Sequence, residues 1–516
     1  MKYLKNILIL SIILWLLIFI PSCGHNEQNE KKQMIAEGES LAKTYCSTCH
    51  NFPSPDLLNK QTWRNNVLPV MANFMNLHYV GDSVFLLPQT MVAIDSSILP
   101  FKINIAVKDF RKIESFYISK APNTLPLQTR PKPPISTSFN QFSIVSLDNI
   151  QIPPFTTAIA IDSKHHLIYQ GDAGQRAVNI FDNHLQLIDQ IKTNNIGTSF
   201  KINGDNLYVT NIGEFKPNPF KLTGNVMVLR QDLKHKFSEP KVLLDSLDRS
   251  VESTEVDLDN DGKSDLLVCE FGFLRGDFSW YKNIGNGKYV KKILKAVPGA
   301  IRTYVEDVNH DRKMDIWVLF GQAREGISLF INKGNGLFEE HVILTFPPVY
   351  GSSYFELADM NQDGKEDIIY TCGDNTDYSQ ILKPYHGVYI FINQGNYIFK
   401  QEYFFPINGC YKAMVRDFEN KGKLDIACIS YFADYDHQPQ ESFVYLKNEG
   451  SMKFKPFSMP NMPLGRWICM DTNDLNGDGK LDIILGNCAA PYQNRQDWLS
   501  GWMQTPAFVL LQSNLK

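Results

Sequence analysis

One acidic pattern recurs five times in this chain and limits what it can fold into more than any other feature. It reads Asp257-Leu-Asp259-Asn-Asp261-Gly262-Lys-Ser-Asp265, followed by the apolar run Leu266-Leu267-Val268. It returns at Asp307-Val-Asn309-His-Asp311-Arg312-Lys-Met-Asp315, at Asp359-Met-Asn361-Gln-Asp363-Gly364-Lys-Glu-Asp367 and at Asp474-Leu-Asn476-Gly-Asp478-Gly479-Lys-Leu-Asp482. A degenerate copy is Asp417-Phe-Glu419-Asn-Lys421-Gly422-Lys-Leu-Asp425. The starts lie 50, 52, 58 and 57 residues apart. A period of this size on short apolar strands points to propeller blades, because one unit cannot bury its own hydrophobic face and must stack on the next.

A second signature runs in phase with the first: Asn283-x-Gly285-x-x-x-Tyr289, Asn332-x-Gly334-x-x-x-Phe338, Asn393-x-Gly395-x-x-x-Phe399 and, loosely, Asn448-x-Gly450-x-x-x-Phe454. Asn-x-Gly is hairpin-turn chemistry. Each unit therefore reads strand, acidic loop, strand, strand, turn, strand. Two divergent units without the acidic set precede these, from Thr157 and from Ser199. Starts near 157, 199, 253, 303, 354, 412 and 467 make seven blades, with six or eight as the alternatives. The pattern resembles the FG-GAP or VCBS repeat family, the type found in the integrin α-subunit head. That resemblance covers residues 140–516 and implies an all-β seven-bladed propeller.

The last unit lacks its fourth strand. Aligning Phe443-Val-Tyr-Leu-Lys-Asn448 with Phe508-Val-Leu-Leu-Gln-Ser513 puts Ser513 where the turn Asn belongs. The segment Phe142-Ser-Ile-Val-Ser-Leu147 carries the same aromatic-led pattern as the outer strand at Phe338. Residues 141–148 are expected to supply the outermost strand of the C-terminal blade, antiparallel to 507–512, since propellers avoid unpaired edges.

Carboxylates at loop positions 1, 3, 5 and 9, with Gly at 6, converge oxygens on a hard cation, and calcium fits that ligand number and type. The expected ligands are Asp257, Asp259, Asp261 and Asp265; Asp307, Asn309, Asp311 and Asp315; Asp359, Asn361, Asp363 and Asp367; and Asp474, Asn476, Asp478 and Asp482. The alternative is a metal-free Asp/Asn turn. The copy with Lys421 at a ligand position is expected to be metal-free. Arg302, Lys412 and Arg466 each fall five residues before an acidic position, on the strands expected to line the channel. They are the candidate site for an anionic ligand or acidic sugar.

Near the N-terminus, Cys46-Ser47-Thr48-Cys49-His50 is a C-x-x-C-H motif, the pattern of covalent haem attachment. Zinc would need a second Cys/His pair, and a thioredoxin-like dithiol would need a βαβ context. The helical pattern around Gly38, Leu41 and Tyr45, and a second helix over 107–120 with Phe110, Ile113, Phe116 and Tyr117 on one face, resemble class I cytochromes c. The resemblance covers residues 33–124 and implies a small all-α domain with one covalent haem c, its iron held by His50 and a methionine. It also implies that Gly38 lets the two helices cross closely. Met71, eight residues after Trp63, is the leading sixth ligand, with Met75 and Met91 as alternatives.

Lys2 and Lys5 precede the apolar run Ile7 to Ile20, which is too short for a bilayer span and right for a signal peptide. Cys23 follows a small residue there, which resembles a lipobox. Residues 1–22 then form a lipoprotein signal peptide, with lipidated Cys23 as the mature N-terminus. Residues 23–32 form a polar tether, and the Pro-rich stretch 125–139 a linker between the domains. The expected location is the cell envelope, exported and lipid-anchored, on the outer membrane by the cue of Gly24. The chain has 516 residues and a formal charge of −4, which argues against a nucleic-acid partner. The function expected from these parts is single-electron transfer, with a calcium-stabilised propeller as docking platform for a redox partner protein or dehydrogenase. The alternatives are a haem-linked oxidoreductase whose propeller oxidises a substrate, and a glycan-binding lipoprotein. Cys469 and Cys488 flank the last acidic loop, either as a cross-strand pair or as separate buried thiols.

Overall fold

A computed structural model describes residues 22–80, 83–86, 103–128, 134–147, 154–215, 218, 221–232, 236–272, 275–376, 381–462, 465–489 and 496–515. The chain divides into two compact units, Met1–Ser96 with Phe101–Leu125, and Ser97–Pro100 with Pro126–Lys516. Residues 1–21, most of the segment expected to be a signal peptide, and the candidate ligand Met91 lie outside the described residues.

The first unit is built on helices α1 (Ser22–Tyr45), α2 (Leu68–Phe74) and α3 (Val107–Lys120). The face of α3 read from the sequence is the one it buries: Phe110, Ile113, Phe116 and Tyr117. α1 crosses α3 at Gly38, where an added Cβ would lie 2.0 Å from the Lys112 carbonyl oxygen. Only glycine permits that approach. Residues 23–32, the expected tether, are helical, since α1 runs from Ser22; their Glu, Gln and Lys residues are good helix formers. One expectation needs correction: the unit is not all-α, since Leu77–Val80 pairs antiparallel with Ser83–Leu86. Among the described residues, no helix is long and apolar enough to cross a membrane.

The second unit is a closed ring of seven four-stranded antiparallel sheets. The innermost strands are Thr156–Asp162, Gly197–Asn203, Ser250–Val256, Ala300–Glu306, Ser352–Ala358, Cys410–Arg416 and Trp467–Asn473, for blades 1 to 7. Each touches the next, and the seventh touches the first. The second strand of each acidic blade is buried throughout, as in Asp315–Phe320 and Asp367–Cys372, so its residues read as continuous apolar runs. Large apolar side chains fill the wedges between blades; Trp317, Phe346, Phe355 and Tyr370 pack together between blades 4 and 5.

The ring closes as the sequence predicts. Phe142–Ser146 is the fourth strand of blade 7, antiparallel to Phe508–Ser513, with Phe142 opposite Ser513 and Ser146 opposite Val509. Part of the Pro-rich stretch lies along the propeller: Ser136 N–H donates to Pro456 O at 3.1 Å, and Ser458 N–H to Ser136 O at 2.8 Å. A helix α4 (Gln496–Gln504) is inserted between the second and third strands of blade 7.

Candidate functional site

The C-x-x-C-H motif sits where α1 ends. Cys46 opens a 3-10 turn, Cys46–Thr48, and is buried; burial pushes its thiol up to about 11. Neither Cys46 nor Cys49 is in a disulfide. The His50 ring uses Nδ1 against the Asn51 carbonyl at 2.9 Å. A carbonyl only accepts, so Nδ1 carries the proton and Nε2 keeps its lone pair. Burial holds the imidazole below its usual pKa, which favours this neutral form. The following loop is fastened from two sides: Trp63 Nε1 donates to Pro55 O at 2.8 Å and Tyr117 Oη to Pro53 O at 2.9 Å. The two rings lie 4.3 Å apart. Met71 is half-buried in α2, and Met75 is buried at its C-terminal end. Two thiols three positions apart that form no disulfide, and a neutral imidazole whose Nε2 keeps its lone pair, are a donor set that fits covalent haem.

The acidic loops share one construction. The position-1 carboxylate accepts the N–H groups of positions 5 and 6; Asp359 does so from Asp363 at 3.0 Å and Gly364 at 2.8 Å. The buried position-9 carboxylate reaches the third strand and accepts the N–H of the turn residue. The bonds are Asn283 to Asp265 (2.7 Å), Asn332 to Asp315 (2.7 Å), Asn393 to Asp367 (2.8 Å), Asn448 to Asp425 (2.7 Å) and Ser513 to Asp482 (2.9 Å). In the four intact loops its other oxygen accepts the position-2 N–H, as from Leu258 and Met360. Position 9 thus serves as a strand latch whether or not an ion is bound. In blade 3, Asp257, Asp259 and Asp265 each bring a carboxylate oxygen within 4.8 Å of the others. The Asp259 Oδ1 atom is buried there without a hydrogen-bond partner. An orphaned oxygen among converging carboxylates fits a calcium ion. In the degenerate loop, Lys421 and Lys447 sit on Glu419 at 3.1 and 2.5 Å.

The three expected channel cations do not form one ring. Strand register places Ala158, Ser199, Glu252, Arg302, Tyr354, Lys412 and Cys469 at one level of the innermost strands. Arg302 and Lys412 meet on Tyr354, each 4.9 Å from its ring centroid. Arg466 is three residues out of that register, one before its strand begins, and is boxed by Tyr431 at 3.7 Å and Trp502 at 4.9 Å. The counter-charges are residues that sequence reasoning did not assign. Glu252 Oε1 takes Arg302 at 2.5 Å and Lys201 at 3.1 Å, while its Oε2 accepts Thr303 N–H on blade 4 at 2.6 Å. Glu356 accepts Val415 N–H on blade 6 at 2.6 Å, and Asp471 accepts Ile161 N–H on blade 1 at 2.8 Å. Each carboxylate ties neighbouring blades together. Burial works against the Glu252 charge, but Arg302 and Lys201 outweigh it and hold its carboxyl below the usual range.

Residues 257–318 and 307–370 match the family of FG-GAP-like repeats. The chain carries such repeats in a seven-bladed propeller. No curated protein matches it. Among solved structures it is similar to the β-propeller domain of Myceliophteria thermophila Cps50 (Swd1), at 12% identity and a TM-score of 0.43, over 71% of this chain and 99% of that one. It is also similar to a chain from an S. cerevisiae complex of dbp5 with nup159 and gle1, at 11% identity and a TM-score of 0.42, over 75% of this chain and 97% of that one. A protein from Lactobacillus plantarum gives 12% identity and a TM-score of 0.41, over 59% of this chain and 85% of that one. A propeller with FG-GAP-like repeats is a scaffold that can act as a binding platform.

Proposed function

We propose that this chain is an exported, lipid-anchored c-type cytochrome that passes single electrons, with its propeller as the docking platform for a redox partner protein. The observation that supports the reading best is the state of His50. Its Nδ1–H is fixed on the Asn51 carbonyl and its Nε2 is left as a base, directly after two thiols that form no disulfide. Cys46 and Cys49 would hold the haem as thioethers, His50 Nε2 and Met71 would bind its iron, and Cys23 would carry the lipid. Haem, when bound, supplies a one-electron iron couple. The chain's own part is positional: the hydrogen bonds of Trp63 and Tyr117 fix the loop that follows His50, and the Asn51 carbonyl sets the tautomer. Calcium ions in the acidic loops would screen carboxylates that otherwise repel across a tight turn.

The test is a pyridine haemochrome of the denatured protein, expressed with a haem-attachment system. A c-type spectrum that survives acid–acetone extraction is expected, and replacing Cys46 and Cys49 with Ser should make the haem extractable. A Met71→Ala variant should lose the weak sulfur-to-iron band in the red. A wild-type protein without covalent haem under these conditions overturns the reading.

A further inference from the structure

Position 3 divides the acidic loops into three kinds. In blades 4, 5 and 7 it is Asn309, Asn361 or Asn476, whose side-chain oxygen accepts the position-5 N–H at 2.9 to 3.0 Å. In blade 6 it is Glu419, with one oxygen on Lys421 and the other on Lys447. In blade 3 it is Asp259, with Oδ2 on the Lys282 ammonium and Oδ1 buried and orphaned beside Asp257 and Asp265.

The two lysines that come from outside the loops, Lys282 and Lys447, occupy the same place in the repeat, immediately before the turn Asn. Where position 3 is the neutral Asn, that place holds Ile331, Ile392 or Gln512. A lysine thus accompanies a carboxylate at position 3, and a neutral residue accompanies an amide. Four aspartates and one lysine give blade 3 the same net charge as three aspartates and an asparagine. In blade 6 the lysines use both oxygens and leave nothing for an ion. In blade 3 Lys282 uses one oxygen and leaves the other.

We propose that Lys282 sets the affinity of a distinct cation site in blade 3, its ammonium and a divalent cation sharing the carboxylate of Asp259. The inference rests on the calcium reading given above and adds to it a residue that tempers the site. An ion among Asp257, Asp259 and Asp265 is repelled by an ammonium on the same carboxylate, and Asp259 cannot give its full charge to both. Removing the ammonium should therefore tighten binding. If Lys282 instead acted as a clamp that aims Asp259, its removal would weaken binding, so the sign decides between the two.

Trp280 makes blade 3 observable, because its Nε1 donates to Asp265 Oδ2 at 2.8 Å. Terbium, a luminescent substitute for calcium, is titrated into the full-length protein with excitation through tryptophan, then displaced with Ca²⁺. Sensitised emission is expected from the wild type and should fall sharply in Trp280→Phe. Lys282→Met should bind terbium about tenfold more tightly, a difference of about 1.4 kcal/mol. Lys282→Arg should keep the wild-type affinity, and in an Asp259→Asn background residue 282 should cease to matter. Unchanged or weaker binding by Lys282→Met, with emission intact, overturns the role of the lysine and leaves the calcium reading standing. Absence of tryptophan-sensitised emission from both the wild type and Lys282→Met overturns the calcium reading for blade 3, and the proposal with it.

Discussion

The Asp482 carboxylate accepts the backbone N–H of Ser513 at 2.9 Å, which makes a serine near the C-terminus the equivalent of the turn asparagines in blades 3 to 6. The same latch survives in blade 6, where Asp425 accepts from Asn448 at 2.7 Å and from Tyr445 Oη. That loop has a lysine in place of a ligand, so the latch has a purpose apart from any ion. Asp425→Ala should destabilise the propeller by about 2–4 kcal/mol, since it leaves buried donors unpaired. The loss should be the same in EDTA and in calcium, which denaturant titration under both conditions checks.

Arg312 has φ +67°, at the loop position where blades 3, 5, 6 and 7 place Gly262, Gly364, Gly422 and Gly479 at φ between +73° and +83°. A left-handed conformation costs a side-chain-bearing residue about 1–2 kcal/mol. Glycine also gains entropy when unfolded, so only part of that cost is recoverable. Arg312→Gly should raise stability by about 0.5–1 kcal/mol, seen as a later unfolding midpoint with an unchanged denaturant slope.

Gly38 gives the opposite case. A methyl group there meets backbone, the Lys112 carbonyl, and not a movable side-chain tip. Gly38→Ala should therefore cost more than the helix propensity of alanine returns, about 1–3 kcal/mol for the first unit. Near-UV circular dichroism of the variant should fall, while the propeller's unfolding transition stays in place.

Lys412 predicts a pH effect. Burial, with Arg302 adding to it, lowers the lysine from 10.5 to about 8. Between those values the unfolded chain binds a proton that the folded chain has released, so unfolding free energy rises with pH across the window. Lys412→Met should flatten that rise. Denaturant midpoints measured from pH 7.5 to 10.5 read the difference in slope, and equal slopes in the two proteins would refute it.

What was legible in the sequence was local chemistry. An Asx-rich loop with glycine at its sixth position and an Asn-x-Gly turn each specify their own backbone, so blade boundaries and count followed from the spacing. The closing strand followed too, because Phe142 repeats the aromatic that opens other outer strands. Contacts between repeats were not legible. Glu252, Glu356 and Asp471 fasten one blade to the next, and that reach exists only after the ring has closed. The five-residue offset to Asp471 groups Arg466 with Arg302 and Lys412 in the sequence, whereas the equivalent in blade 7 is Cys469. The partners of Arg466 come from Tyr431 and from the inserted α4, which no repeat pattern predicts. In the first unit, the hairpin has its own signal in the sequence, Gly81-Asp82 between the apolar residues Tyr79-Val80 and Val84-Phe85.

The closure itself can be tested by a covalent clasp. Ser143 faces Gln512 directly across the antiparallel pair, and Ser143 Oγ donates to Asn514 Oδ1, two residues further on, at 2.7 Å. Directly opposed residues in such a ladder stand about 4.5–5.5 Å apart at Cα, inside the range a disulfide spans. The bond would close nearly the whole propeller sequence into one loop, and long loops gain most from cross-linking, up to about 5 kcal/mol. The double variant Ser143→Cys/Gln512→Cys should oxidise without distorting the blade. Peptide mapping should find one new cross-link between these two positions, and thermal unfolding should shift upward and return to the wild-type value on reduction. If the two thiols stay free under oxidising conditions, while the protein remains folded, the strand at Phe142 does not close blade 7.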